Sequence, residues 1–158
     1  MDIKSAISYT EDVYAAIKSF VDDTITLYCK ESDEIISKLE KSYELSNEDI
    51  RDAIVRLSFK SYRLSDIKEK SALKAECAET IRKLKYATSF NESNGSVAVR
   101  ENEALNSISE ELLAEKVYDS LADTFKTKLD EIHRVVDALK SVLVSRLSEE
   151  KLAMTQVG

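Results

Sequence analysis

The residues able to do chemistry in this chain are cations and aromatics, gathered in one stretch. From Arg51 to Lys85 there are ten basic residues: Arg51, Arg56, Lys60, Arg63, Lys68, Lys70, Lys74, Arg82, Lys83 and Lys85. Five acids accompany them: Asp52, Asp66, Glu69, Glu76 and Glu79. On an ideal helix Arg56, Lys60, Arg63, Lys70, Lys74 and Lys85 fall within about 40° of one line. Such a stripe can track the phosphates of a nucleic-acid strand, with an affinity from counterion release that falls steeply with salt. Phe59, Tyr62, Tyr86 and Phe90 lie beside it. Rings next to cations suit a single strand, because unstacked bases lie on them. The plainer alternative is a solvated helix face whose cations pair with acids on other helices. Phe59 and Phe90 also read as core residues.

No catalytic constellation accompanies these residues. The chain has one histidine, His133, on a charged helix face, and no Gly-rich phosphate loop or HExxH spacing. Adjacent acids such as Glu110 and Glu111, or Asp22 and Asp23, point different ways on a helix. Cys29 and Cys77 lie far apart without a CxxC spacing and read as small buried apolar residues. The sequence therefore predicts a non-enzyme with no cofactor and no metal.

The basic stretch sits in an acidic chain of net charge -7. Residues 1–50 carry 5 Lys and Arg against 12 Asp and Glu, and residues 86–158 carry 8 against 13. The 158 residues suffice for one domain with a core. There is no Pro and there are only two Gly, Gly95 and Gly158, so little can break a helix. The expectation is a single all-α domain over 1–158, with long antiparallel helices in a helical-bundle or coiled-coil-like arrangement. No apolar run approaches a membrane span, and the N-terminus lacks an apolar signal core. A soluble cytoplasmic protein is expected.

Four segments must position the stripe. An acidic helix over 3–43 carries a heptad-like seam: Ile3, Ile7, Thr10, Tyr14, Ile17, Val21, Thr24, Tyr28, Ile35, Leu39 and Ser42. The β-branched run Val21–Thr26 is a candidate kink. Ser46 is read as the N-cap of a basic helix over 47–90. Its early core face is Ile50, Ile54, Leu57 and Leu64, and its later face Leu73, Cys77, Ile81 and Leu84. These two faces do not line up, so the helix either changes partners or breaks near 65–71. A polar loop over 91–96 and a linker over 97–108, helical or extended at Val97–Leu105, precede a C-terminal helix over 109–152. That helix bears the stripe Leu113, Val117, Leu121, Phe125, Leu129, Ile132, Val136, Leu139 and Leu143. Apolar stripes this wide predict a homo-oligomer, with Ile17, Val21, Phe125 and Ile132 among its contacts.

The run Ile81-Arg82-Lys83-Leu84-Lys85-Tyr86-Ala87-Thr88-Ser89-Phe90, followed by Asn94-Gly95-Ser96, resembles phage recombination mediators of the UvsY type. In that family a basic helix runs into aromatics and a Gly-containing loop, followed by a linker and a long C-terminal helix. Ser96–Glu101 and Val136–Arg146 are similar to the corresponding parts. The resemblance covers roughly residues 75–152; helix one is longer than the family pattern needs, and the aromatics are spaced apart. It implies single-stranded DNA binding, ring-like homo-oligomers, and assistance to a recombinase in displacing a single-strand-binding protein. Carried over, Arg82, Lys83 and Lys85 would hold phosphates and Tyr86 a base.

Three functions compete. The first is a single-stranded DNA-binding recombination or replication accessory protein, phage-encoded. The second is a helical coiled-coil adaptor or structural oligomer without nucleic-acid binding. The third is an acidic inhibitor or nucleic-acid mimic. Charge placement separates them: the first needs the basic stripe exposed, and the second needs it neutralised by acids. The third needs acids clustered at phosphate-like spacing, which the lysines mixed among them oppose.

Overall fold

The computed structural model of the chain describes the backbone of residues 3–41 and 45–156, and the side chains of 12–41 and 45–154. Four helices account for nearly all of it: α1 (Ile3–Lys41), α2 (Asn47–Glu92), α3 (Val97–Ser107) and α4 (Ser109–Gln156). No strand occurs among the described residues, and the fold is an all-α helical bundle. No described helix is long and apolar enough to cross a membrane. Seam positions Ile3, Ile7, Thr10 and Ser42 lie outside the described side chains.

Local chemistry sets the helix ends. At the start of α2, the Asp49 amide donates to Ser46 Oγ at 3.1 Å, and the Ser46 amide donates to Asp49 Oδ2 at 3.1 Å. This reciprocal capping box satisfies two amides that the helix cannot. It holds the Asp49 carboxyl below the usual carboxylate range, chiefly through the Ser46 hydroxyl. At the far end, α2 runs two residues beyond 90 and is released at Gly95, whose φ of +122° disfavours any side chain. The linker forms a true helix, α3. A non-helical Ile108 separates it from α4, which runs to Gln156, past the expected end at 152.

The chain divides into two compact units. Unit 1 comprises Met1–Thr24 and Ile67–Thr124, and unit 2 comprises Ile25–Asp66 and Phe125–Gly158. α1 is continuous through Val21–Thr26, and α2 through 65–71, so neither expected weak point is a break. Both coincide with the passage from one unit to the other.

Unit 2 holds the large side chains that are almost completely buried: Ile50, Leu57, Leu64, Phe125 and Ile132 are each at most 1% exposed. The Tyr28 ring meets Phe125 edge-on at 6.1 Å. Cys29 is fully buried, and burial, seconded by the Asp33 charge, pushes its thiol up to about 11. In unit 1 the buried residues of α2 and α3 are small: Ser71, Ala75, Ala78 and Ala104. Val21, Ile108 and Leu121 complete the buried set.

Three expectations about the core need correction. In α1 the buried line after Val21 passes through Cys29 and Ser32, while the seam residues Tyr14 and Tyr28 are exposed. In α2 the expected later face of Leu73, Cys77, Ile81 and Leu84 is solvent-exposed, Cys77 included. The residues that are buried, Ile50, Ala53, Leu57, Leu64, Ser71, Ala75 and Ala78, fall within about 40° of one line at 100° per residue. The mismatch of faces read from the sequence thus came from assigning an exposed line to the core. Finally, Val21, Phe125 and Ile132, expected among intermolecular contacts, are buried within the chain and pack the fold, while Ile17 is half-buried.

Candidate nucleic-acid interface

The nine residues singled out from the sequence divide between the units. Arg56, Lys60 and Arg63 belong to unit 2; Lys70, Lys74, Arg82, Lys83, Lys85 and Tyr86 belong to unit 1.

In unit 2 Glu31 of α1 serves two cations of α2. Arg56 reaches it at 3.3 Å and also approaches Asp52 at 3.7 Å, and Lys60 forms a second ion pair with it. The Lys60 hydrogen bond is the main reason the Glu31 carboxyl sits below its usual range. Lys60 is largely covered, with 21% of its side chain exposed, whereas the Arg56 side chain is 49% exposed. Arg51 and Arg63 are exposed and form no ion pair with any described residue. Beside Arg63 stand the two most open aromatics of α2, Phe59 at 69% and Tyr62 at 78% exposure. Phe59, read also as a core residue, lies on the surface. Phe59, Tyr62 and Arg63 are thus held on one rigid helix, rings and cation in solvent, with Arg56 one turn before.

In unit 1 the cations are mostly engaged. Arg82 donates from Nε to Glu115 Oε2 at 2.6 Å, with 25% and 13% of the two side chains exposed. Lys85 donates to Glu111 Oε1 at 2.7 Å, which raises the lysine and lowers the carboxylate from their ordinary values. The other Glu111 oxygen is buried without a hydrogen-bond partner. As the α2 number rises from 82 to 85 its α4 partner falls from 115 to 111, the mark of antiparallel helices. Lys83 pairs with Glu79 at 2.6 Å along its own helix and remains 65% exposed. Lys74 lies 5.0 Å from the centre of the Tyr118 ring, and Lys70 also has an interaction partner. Tyr86 stacks on Phe90, with centroids 6.2 Å apart and planes at 14°, so one candidate base platform is already occupied.

The sequence reading missed Arg100. Its guanidinium lies 4.2 Å over the Phe90 ring and its Nε donates to the Phe90 carbonyl at 2.8 Å, tying α3 to the end of α2. The signal was present as a lone cation five residues after the loop glycine. Near this turn lies an open polar cleft of about 540 Å³, lined by Lys85, Ser89, Glu92, Asn94, Glu103 and Ser107 among others. Its two free-standing carboxylates make it a poor phosphate pocket. No group of three or more His, Cys, Asp or Glu suited to a metal occurs among the described residues. The charge criterion therefore splits the stripe: Lys60, Arg82 and Lys85 are committed to acids on other helices, while Arg63 with Phe59 and Tyr62 is open. Comparison with family models, curated proteins and solved structures finds no match to this chain.

Proposed function

We propose that this protein is a single-stranded nucleic-acid-binding accessory protein whose contact surface is Phe59, Tyr62 and Arg63 of α2, with Arg56 and Arg51 as further cations. The observation that carries this reading is the exposure of two large aromatic rings, 69% and 78%, beside an arginine with no ion-pair partner among the described residues. Bases of a single strand stack on such rings without regard to sequence, and neighbouring arginines neutralise the phosphates. The resemblance to recombination mediators supports the same class of ligand. It would extend the partners to a recombinase and a single-strand-binding protein. The contact proposed here lies upstream of the residues the resemblance would use. A labelled single-stranded oligonucleotide should bind at about 50 mM salt and lose affinity steeply towards about 200 mM. No binding at the lower salt would refute the reading.

A second reading, a helical adaptor or structural oligomer, is favoured by a different observation. The ion pairs of Lys60, Arg82 and Lys85 spend those cations on neighbouring helices. If oligonucleotide binding is absent, this reading replaces the first.

A further inference from the structure

In unit 2 two cations of α2 converge on one carboxylate of α1. Arg56 Nη2 donates to Glu31 Oε1 at 3.3 Å, and Lys60 Nζ is paired with Glu31 Oε2. A carboxylate held between two cations fills the place that two phosphate oxygens would take. The two cations are not equally committed. Lys60 is 21% exposed and anchors Glu31 against α2, whereas Arg56 is 49% exposed and stays within reach of a ligand from solvent. Asp52, the other acid near Arg56, stands at 3.7 Å on the same helix and is 66% exposed, a looser partner. At 100° per residue Arg56 lies about 20° around α2 from Arg63, two turns away on the same line. All of these residues belong to unit 2.

We propose that Glu31 is an internal competitor of the bound strand: it holds Arg56 from the phosphates and so limits the affinity of the Phe59–Arg63 surface. The proposal rests on the single-strand reading of that surface and adds to it a residue of α1 that opposes binding. A strand phosphate must displace the carboxylate to engage Arg56 fully, and the ion pair formed is offset by the ion pair lost. Arg63, with no ion-pair partner among the described residues, meets no such competition. Glu31 therefore sets how much of the Arg56–Arg63 line a strand can use.

Anisotropy of a labelled single-stranded oligonucleotide, read from about 50 to 200 mM salt, tests this. Glu31→Gln removes the charge but keeps an oxygen to which Lys60 can donate, and its helical circular dichroism should match the wild type. It should bind more tightly than the wild type at the lower salt. Its salt slope should steepen by about 0.7, the share of one further phosphate contact on a single strand, or about 2.6-fold more affinity lost across that range. Arg56→Ala in the Glu31→Gln background should return the slope to the wild-type value. Glu34→Gln removes the same charge from an exposed α1 residue that forms no ion pair among the described residues, and should leave affinity and slope near wild type. Wild-type affinity and slope in Glu31→Gln, or an equal response to Glu34→Gln, overturns the competitor role while leaving the proposed function standing. Absence of binding by both the wild type and Glu31→Gln at the lower salt removes the surface and its competitor together.

Discussion

Side chain by side chain, this protein uses its cations in two ways, and sequence alone distinguishes them poorly. Arg56 and Arg63 look alike in the chain, yet one is matched to Glu31 and the other is open. The difference depends on which acids the next helix brings within about 4 Å, a tertiary fact without a local signature. The Arg82–Glu115 pair is the most covered of the interhelical bonds, with 25% and 13% of its side chains exposed. Arg82→Ala strands a largely covered carboxylate and should lower the unfolding free energy by about 1.5–3 kcal/mol in urea titration. An unchanged urea midpoint would show that solvent already serves Glu115. The carboxylates Glu31, Asp49, Glu79 and Glu111 all lie below their ordinary values through hydrogen bonds to Lys60, Ser46, Lys83 and Lys85 respectively. Each binds protons less readily folded than unfolded, so its contribution is full above the unfolded-state value and is lost as pH falls through the folded one. The thermal midpoint should therefore hold through neutral pH and fall below about pH 4.5, the ordinary glutamate value. A midpoint unchanged down to about pH 3 would contradict these pairings.

Element boundaries were largely legible, because they are written in residues whose backbone or capping chemistry is local. Ser46 and Asp49 announce the start of α2, and Asn94-Gly95-Ser96 announces its release. The α4 stripe from Leu121 to Leu139 was equally plain, since large apolar side chains at helical spacing coincide there with the buried face. The second half of α2 misled for the converse reason. Its buried positions are Ser71, Ala75 and Ala78, which carry little hydrophobic signal, while its exposed line carries leucines and an isoleucine. Small residues let helices approach closely but bury little apolar area, and burial stabilises by roughly 25 cal/mol per Å². Unit 1 should accordingly open more easily than unit 2. Hydrogen exchange should show amides of 67–92 exchanging faster than those of 50–64 in the same helix. Equal protection along α2 would contradict that difference.

For the molecule as a whole, the all-α bundle followed from the scarcity of Pro and Gly together with the helical periodicity. The surface available to partners did not, because an acidic chain with a basic segment fits both a nucleic-acid binder and a charge-paired bundle. What the structure adds is where that segment remains open: rings and an arginine at Phe59–Arg63, and an apolar line at Leu73–Leu84. The central claim concerns the first of these, and fluorescence anisotropy of a labelled single-stranded oligonucleotide at about 50 mM salt tests it most directly. Phe59→Ala/Tyr62→Ala should weaken binding by about 1–3 kcal/mol per stacked base while leaving the salt slope nearly unchanged, and Arg63→Ala should flatten the slope. Substituting Arg82, already paired with Glu115, should cost far less binding than either. Wild-type affinity retained by Phe59→Ala/Tyr62→Ala would contradict the account.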